Sequence, residues 1–265
     1  MFIDVEGNQI YAATGGRPYD PEKPVAIFLH GAGMDHSYWQ LQSRWFAWHG
    51  YASLAVDLPG HGKSGGTPLT SIRDMAQWVG ILMDAADLKS ASLIGHSMGA
   101  VIALEATAML QDRVDRLALL GISDSMPVHP SLLGAAEDNS VDAHQMMVVW
   151  GHGAGSKIGR NTVPGMWMTG GAMALLARNQ PGVLHADLNA CNEWKTGADA
   201  AEKITCPTLV VIGTEDMMTP AKKGKALAAS LPDCQQVIIE DCGHMMMQEA
   251  PDAVLDALIG AFGSP

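Results

Sequence analysis

The feature that most constrains this chain is a recurring apolar run that ends abruptly. Val25-Ala26-Ile27-Phe28-Leu29 is unbroken and is stopped by His30-Gly31. Such a run suits a strand buried on both faces of a parallel sheet. Similar runs follow at Ala52–Val56, Ser92–Ile94, Leu117–Leu120, Leu209–Ile212 and Val237–Ile239. Helix-like segments lie between them. Ser71-Ile72-Arg73-Asp74 resembles a capping box, and Ile72, Met75, Ala76, Val79, Leu82, Met83 and Ala86 then recur at helical spacing. Tyr38–Trp48, Met98–Leu110, Ala221–Ala229 and Asp252–Phe262 are further helix candidates. This alternation predicts a mainly parallel sheet covered by helices on both faces. Two more β-like segments, Phe2–Val5 and Gln9–Ala13, flank Glu6-Gly7-Asn8 and predict a hairpin.

One region breaks the alternation. From about Pro127 to Lys203 there is no clear strand. Gly-rich turns separate helix-like pieces at Ala143–Val149, Ala172–Arg178 and His185–Trp194. The spacing predicts a helical insertion over 127–203 and a core built from 1–126 and 204–265. Ligands of open α/β sheets bind beyond the carboxyl ends of the strands. An insertion leaving from that edge would roof the site.

Composition narrows the partners. The 265 residues carry 16 Lys+Arg against 28 Asp+Glu, a formal charge of −12. That argues against nucleic acid or anionic lipid as a partner. No stretch approaches 18 apolar residues, so no membrane span is expected. The first residues lack a basic segment followed by an apolar run, so no signal peptide is expected either. Cys191, Cys206, Cys234 and Cys242 form no CxxC pair. Cys234 and Cys242 flank a strand-like segment that would hold them about 26 Å apart, too far to bridge. A reduced, cytoplasmic protein is the expectation.

The chemistry centres on Gly95-His96-Ser97-Met98-Gly99, which follows one strand and precedes a helix. A serine on so tight a turn needs small residues two before and two after it. The turn aims the first amides of the helix at the serine, where negative charge can develop. A hydroxyl is a poor nucleophile without a base. His244 follows the run Val237–Ile239 and is the candidate base. Asp216 follows Leu209–Ile212 and is the candidate acid; Asp124 and Glu215 are the alternatives. The chain order Ser97, Asp216, His244 matches the serine–acid–histidine order of one hydrolase class. Ala32 and Met98 are the candidate oxyanion donors, with Gly33 as the alternative to Ala32. His30 and His61 are read as loop-fixing, His96 as structural and Asp57 as turn-stabilising.

These motifs, with Asp57-Leu58-Pro59-Gly60-His61-Gly62-Lys63-Ser64, resemble the α/β-hydrolase fold superfamily in its lidded esterase and lactonase-like branch. They span nearly the whole chain in the expected order. The resemblance implies a mostly parallel eight-stranded sheet flanked by helices, with an inserted helical lid. It implies a triad of Ser97, Asp216 and His244 acting without metal or organic cofactor. A small or medium carboxylic ester or lactone is the expected substrate. The alternatives are a carbon–carbon hydrolase of a vinylogous diketone, a haloperoxidase side activity, and a non-catalytic receptor. A carbon–carbon hydrolase would want a lid cation such as Lys157, Arg160, Arg178 or Lys195. Gly33, Met34, Met217 and Met245, with Trp150 and Trp167 from the insertion, are the expected pocket, although core packing explains the same residues. Oligomers of this fold are common by resemblance, so a homo-oligomer is an open expectation.

Overall fold

A computed structural model describes residues 1–159 and 167–263. Its eight strands are β1 (Phe2–Val5), β2 (Asn8–Ala13), β3 (Val25–Leu29), β4 (Ala52–Val56), β5 (Ala91–His96), β6 (Val114–Leu120), β7 (Thr208–Gly213) and β8 (Cys234–Ile239). They form one sheet in the order β1-β2-β4-β3-β5-β6-β7-β8. β1 and β2 form an antiparallel hairpin whose turn residues, Glu6 and Gly7, have φ of 51° and 83°. That is the mirror-image turn whose twist matches paired strands. From β4 to β8 every pairing is parallel. β3 to β7 are buried along nearly their whole length, as unbroken apolar runs require. β8 differs. It is an edge strand whose first half, from Cys234, carries the exposed Gln235 and Gln236, so its apolar run covers only its second half.

Helices α1 (Gln40–Trp48), α2 (Ile72–Ala85) and α3 (Met98–Leu110) connect the first half of the sheet. Ser71 caps α2 by accepting the Asp74 N–H, as the capping-box pattern predicts. α3 is buried on nearly every side, which is how its uniformly apolar sequence is satisfied. Between β6 and β7 lie α4 (Pro130–Glu137), α5 (Val141–Gly151), α6 (Ala154–Lys157), α7 (Met168–Leu176), α8 (Val183–Glu193) and α9 (Gly197–Ala201). The chain closes with α10 (Ala221–Ser230), α11 (Met246–Glu249) and α12 (Pro251–Phe262). All four cysteines are free thiols. No described helix is long and apolar enough to cross a membrane.

Candidate active site

The carboxyl ends of β3, β5, β6, β7 and β8 meet at one edge of the sheet. Ser97 sits between β5 and α3 with φ 55° and ψ −120°. A non-glycine residue there is strained, and such strain persists only when its surroundings fix it. Gly95 and Gly99 make the turn possible. A Cβ on Gly95 would lie 2.1 Å from the Gly99 carbonyl oxygen, and one on Gly99 would lie 2.2 Å from the Leu29 carbonyl oxygen. Ser97 N–H donates to the Leu120 carbonyl at 2.9 Å, tying the turn to β6.

His244 Nδ1 lies 2.7 Å from Asp216 Oδ2, and both side chains are buried. The carboxylate can only accept, so Nδ1 carries a proton, and the neutral ring then has its lone pair on Nε2. Nε2 has no hydrogen-bond partner among the described residues. Asp216 Oδ1 accepts from the Met218 and Thr219 N–H groups at 2.9 and 2.7 Å, and Oδ2 also accepts from Thr219 Oγ1 at 2.6 Å. Burial alone would raise the Asp216 pKa. The facing imidazole and the Thr219 donors outweigh it and hold the carboxyl below its ordinary value. The other two carboxylates are elsewhere. Asp124 is exposed, beside Ser125. Glu215 accepts the Ala154 N–H of α6 at 2.6 Å.

The imidazoles around this centre have distinct jobs. His96 Nε2 donates to the His244 carbonyl at 2.8 Å, so it braces the backbone of that residue. Burial, then the neighbouring His244, pushes the His96 pKa down to about 3. His30 donates through Nδ1 to the Gly31 carbonyl and accepts the Leu58 N–H at Nε2, joining two loops. Burial pushes its pKa down to about 4. His61 is displaced the other way. Burial opposes its charge, but Asp187 at 2.9 Å outweighs that and raises the pKa.

These shifts set a pH dependence. Below the unfolded value of about 6.5, the unfolded chain binds protons that folded His30 and His96 refuse, so stability falls as pH falls. His61 contributes stability that is complete below that value and is lost as pH rises through its raised folded value. We expect the unfolding free energy to peak near neutrality and to fall toward pH 5 by up to about 1.4 kcal/mol per pH unit per histidine. His61→Gln should lessen the fall between neutrality and about pH 8, above which the raised thiols also contribute, and leave the acid one. Urea titrations between pH 5 and 8.5 read both limbs, and a flat profile would count against this assignment.

A cavity of ≈ 130 Å³ opens on Ser97. Its walls are Ala32, Met126, Pro127, Val128, His129, Leu132, Met147, Trp150, Leu188, Cys191, Met217 and Met218. Burial pushes the Cys191 thiol up, so it lines the cavity as a small apolar group. Among the described residues, no lysine, arginine, aspartate or glutamate is in these walls. Of the pocket expected from the sequence, Trp150 and Met217 line the cavity. Gly33 and Met34 lie in the neighbouring loop, and Met245 is packed beneath Gly151. Trp167 is 78% exposed and lies outside the cavity walls. Ala32 is in the wall and Met98 is the first residue of α3. The Gly33 N–H is already engaged by Asp187 Oδ2 at 2.8 Å, which removes it as an oxyanion donor.

The inserted helices also grip the loops from the side of His244. Glu249 Oε2 accepts from Gly153 N–H at 2.8 Å, Ser156 Oγ at 2.8 Å and Gly243 N–H at 3.2 Å, while Oε1 accepts from Met245 N–H at 3.1 Å. Neither Glu249 nor Asp187 stands in a recognisable motif. The residue pairs they join are distant in sequence.

A strained serine, a buried carboxylate–imidazole pair and an apolar cavity on one sheet edge define a hydrolytic enzyme. A model of the alpha/beta hydrolase family matches residues 26–257, and the chain belongs to that family. Its fold is similar to an enol-lactonase from Burkholderia xenovorans LB400, with a TM-score of 0.86, 21% identity and 98% of each chain covered. By sequence it is 26% identical to a pimeloyl-[acyl-carrier protein] methyl ester esterase of Proteus mirabilis, over 95% of this chain and 96% of that one. It is 28% identical to a 2-hydroxy-6-oxononadienedioate/2-hydroxy-6-oxononatrienedioate hydrolase of Comamonas testosteroni, over 88% of this chain and 85% of that one.

Proposed function

We propose that this enzyme hydrolyses a neutral carboxylic ester or lactone of small to medium size through an acyl-enzyme on Ser97. His244 Nε2 takes the Ser97 proton as Oγ attacks the carbonyl carbon. Asp216 holds the Nδ1–H tautomer and stabilises the imidazolium that forms. The Ala32 and Met98 amides receive the developing oxyanion. His244 then protonates the leaving alcohol. Water, deprotonated by the same nitrogen, releases the acid. The helices of 127–203 act as a lid over this chemistry. All groups named come from one chain, so the reading does not require a homo-oligomer. Four free thiols support a reducing, cytoplasmic setting.

The observation that carries the substrate class is the cavity. At ≈ 130 Å³ it is near the size of an engineered cavity, about 150 Å³, that accepts benzene. An acyl group of about six carbons or fewer is therefore its match. Among the described residues its walls hold no lysine or arginine, which weighs against the anionic vinylogous diketones of the carbon–carbon alternative. Lys157, Arg178 and Lys195 are not among the walls, and Arg160 lies outside the described residues. Burying a carboxylate without a partner is strongly unfavourable.

We expect kcat/KM on p-nitrophenyl esters to peak at about four to six acyl carbons. A hemisuccinate ester should fall about 10²-fold or more below its neutral isostere. A preference for the anionic ester, or rapid cleavage of a vinylogous diketone acid with poor ester turnover, would move the assignment to carbon–carbon hydrolysis.

A further inference from the structure

We propose that Asp187, on lid helix α8, is a positioning residue that sets the oxyanion-binding loop. The inference rests on the reading of Ser97 as the acylated nucleophile and Ala32 as an oxyanion donor. The loop Gly31–Met34 is a turn closed by the Met34 N–H on the Gly31 carbonyl at 3.1 Å, with Gly33 at φ 66°. A turn with a glycine at positive φ can flip its central peptide at little cost. Here the lid holds that peptide. Its Gly33 N–H donates to Asp187 Oδ2 at 2.8 Å, and in the next peptide of the turn the Gly33 carbonyl accepts from Asn179 Nδ2 at 2.7 Å. A Cβ on Gly33 would lie 2.9 Å from methyl groups of Leu176 and Leu184, so the lid also packs directly on the turn. Ala32 immediately precedes the clamped peptide, and its amide direction follows from it.

The charge on Asp187 is met at Oδ2, while Oδ1 has no hydrogen-bond partner among the described residues. Asp187 is 0% exposed. His61 Nε2 lies 2.9 Å from the same Oδ2, and His61 Nδ1 lies 3.0 Å from the Pro59 carbonyl. Both ring nitrogens face acceptors, so His61 is the doubly protonated imidazolium. A buried ion pair is poor evidence of stability in itself, and its best-attested use is to fix one arrangement against others. Here the arrangement fixed is lid helix, Asp57–Ser64 loop and oxyanion loop together. The lid thus serves as part of the catalytic scaffold as well as a roof.

The test is single-turnover acylation by p-nitrophenyl butyrate, with butylboronic acid binding read in parallel. The tetrahedral boronate on Ser97 places an anionic oxygen where the oxyanion forms. Asp187→Ala, which leaves no acceptor for the Gly33 N–H, should slow acylation by about 10²-fold, the cost of a small misplacement. Boronate affinity should weaken with it, while the ester's ground-state dissociation constant stays within about threefold of wild type. A folded Asp187→Ala enzyme with unchanged acylation and boronate affinity overturns the proposal. So does a loss confined to ground-state binding. If Asp187→Ala does not fold, Asn179→Ala releases the next peptide of the same turn from a half-buried position. It must show the same pattern at about tenfold, and an unchanged acylation rate there overturns the proposal as well. Ser97→Ala is run beside them. Ester cleavage that survives Ser97→Ala refutes the nucleophile reading itself, whatever Asp187 does.

Discussion

Asp216→Asn is expected to lower kcat on a p-nitrophenyl ester by about 10⁴-fold with the fold intact. The reason is local. Asp216 Oδ1 accepts two backbone N–H groups, from Met218 and Thr219. An asparagine must place its carbonyl oxygen there, because its NH2 cannot accept. The NH2 then faces His244 Nδ1 at the position now 2.7 Å away. Two donors cannot share that contact, so the imidazole must present its Nδ1 lone pair and carry the proton on Nε2. A protonated Nε2 cannot deprotonate Ser97. Steady-state kinetics beside a thermal melt would decide. A loss smaller than tenfold in a folded variant would mean that this carboxylate does not set the tautomer.

The second large effect concerns the turn that carries Ser97. Gly95→Ala should destabilise the protein by more than about 4 kcal/mol, enough to lower Tm by more than about 10 °C or to abolish soluble expression. The added methyl would lie 2.1 Å from the Gly99 oxygen, 2.4 Å from its carbonyl carbon and 2.6 Å from the Ala100 nitrogen. All three are backbone atoms of a packed turn and cannot swing aside. Gly134→Ala, in α4, is the contrast. Nothing lies within 4 Å of its Cβ position, so it should gain up to about 1 kcal/mol from helix propensity. Equal Tm values for the two variants would contradict the collision argument.

The core was largely legible because its signals are local. A strand buried on both faces must be apolar throughout, and β3 and β4 match their runs end to end. The sharp turn at Ser97 needs glycine at two fixed offsets, which a short motif records. Where burial is partial the signal weakens. β8 extends back to Cys234 through exposed glutamines, and β6 begins at Val114 through Asp115 and Arg116. Neither stretch reads as an apolar run. In the insertion, α6 spans four residues and α9 five, too short to carry a period.

The contacts of the helices between β6 and β7 were invisible for a different reason. Gly33–Asp187 joins residues 154 apart and Gly153–Glu249 joins residues 96 apart. No local spacing encodes such a pair. His96 shows the same limit. Its place beside Ser97 suggested a structural side chain, and only the fold shows that it braces the His244 carbonyl. Trp167 and Trp150 are alike as letters in one insertion. One is at the surface and the other lines the cavity, because helix docking decides which face is covered.

The most direct test of the central claim is rapid-quench mass spectrometry during turnover of p-nitrophenyl butyrate, with wild type beside Ser97→Ala. The mechanism predicts a burst of about one equivalent of nitrophenol and a butyryl group on the peptide containing Ser97, both lost in the variant. Turnover with no adduct on that peptide, undiminished in Ser97→Ala, would contradict it.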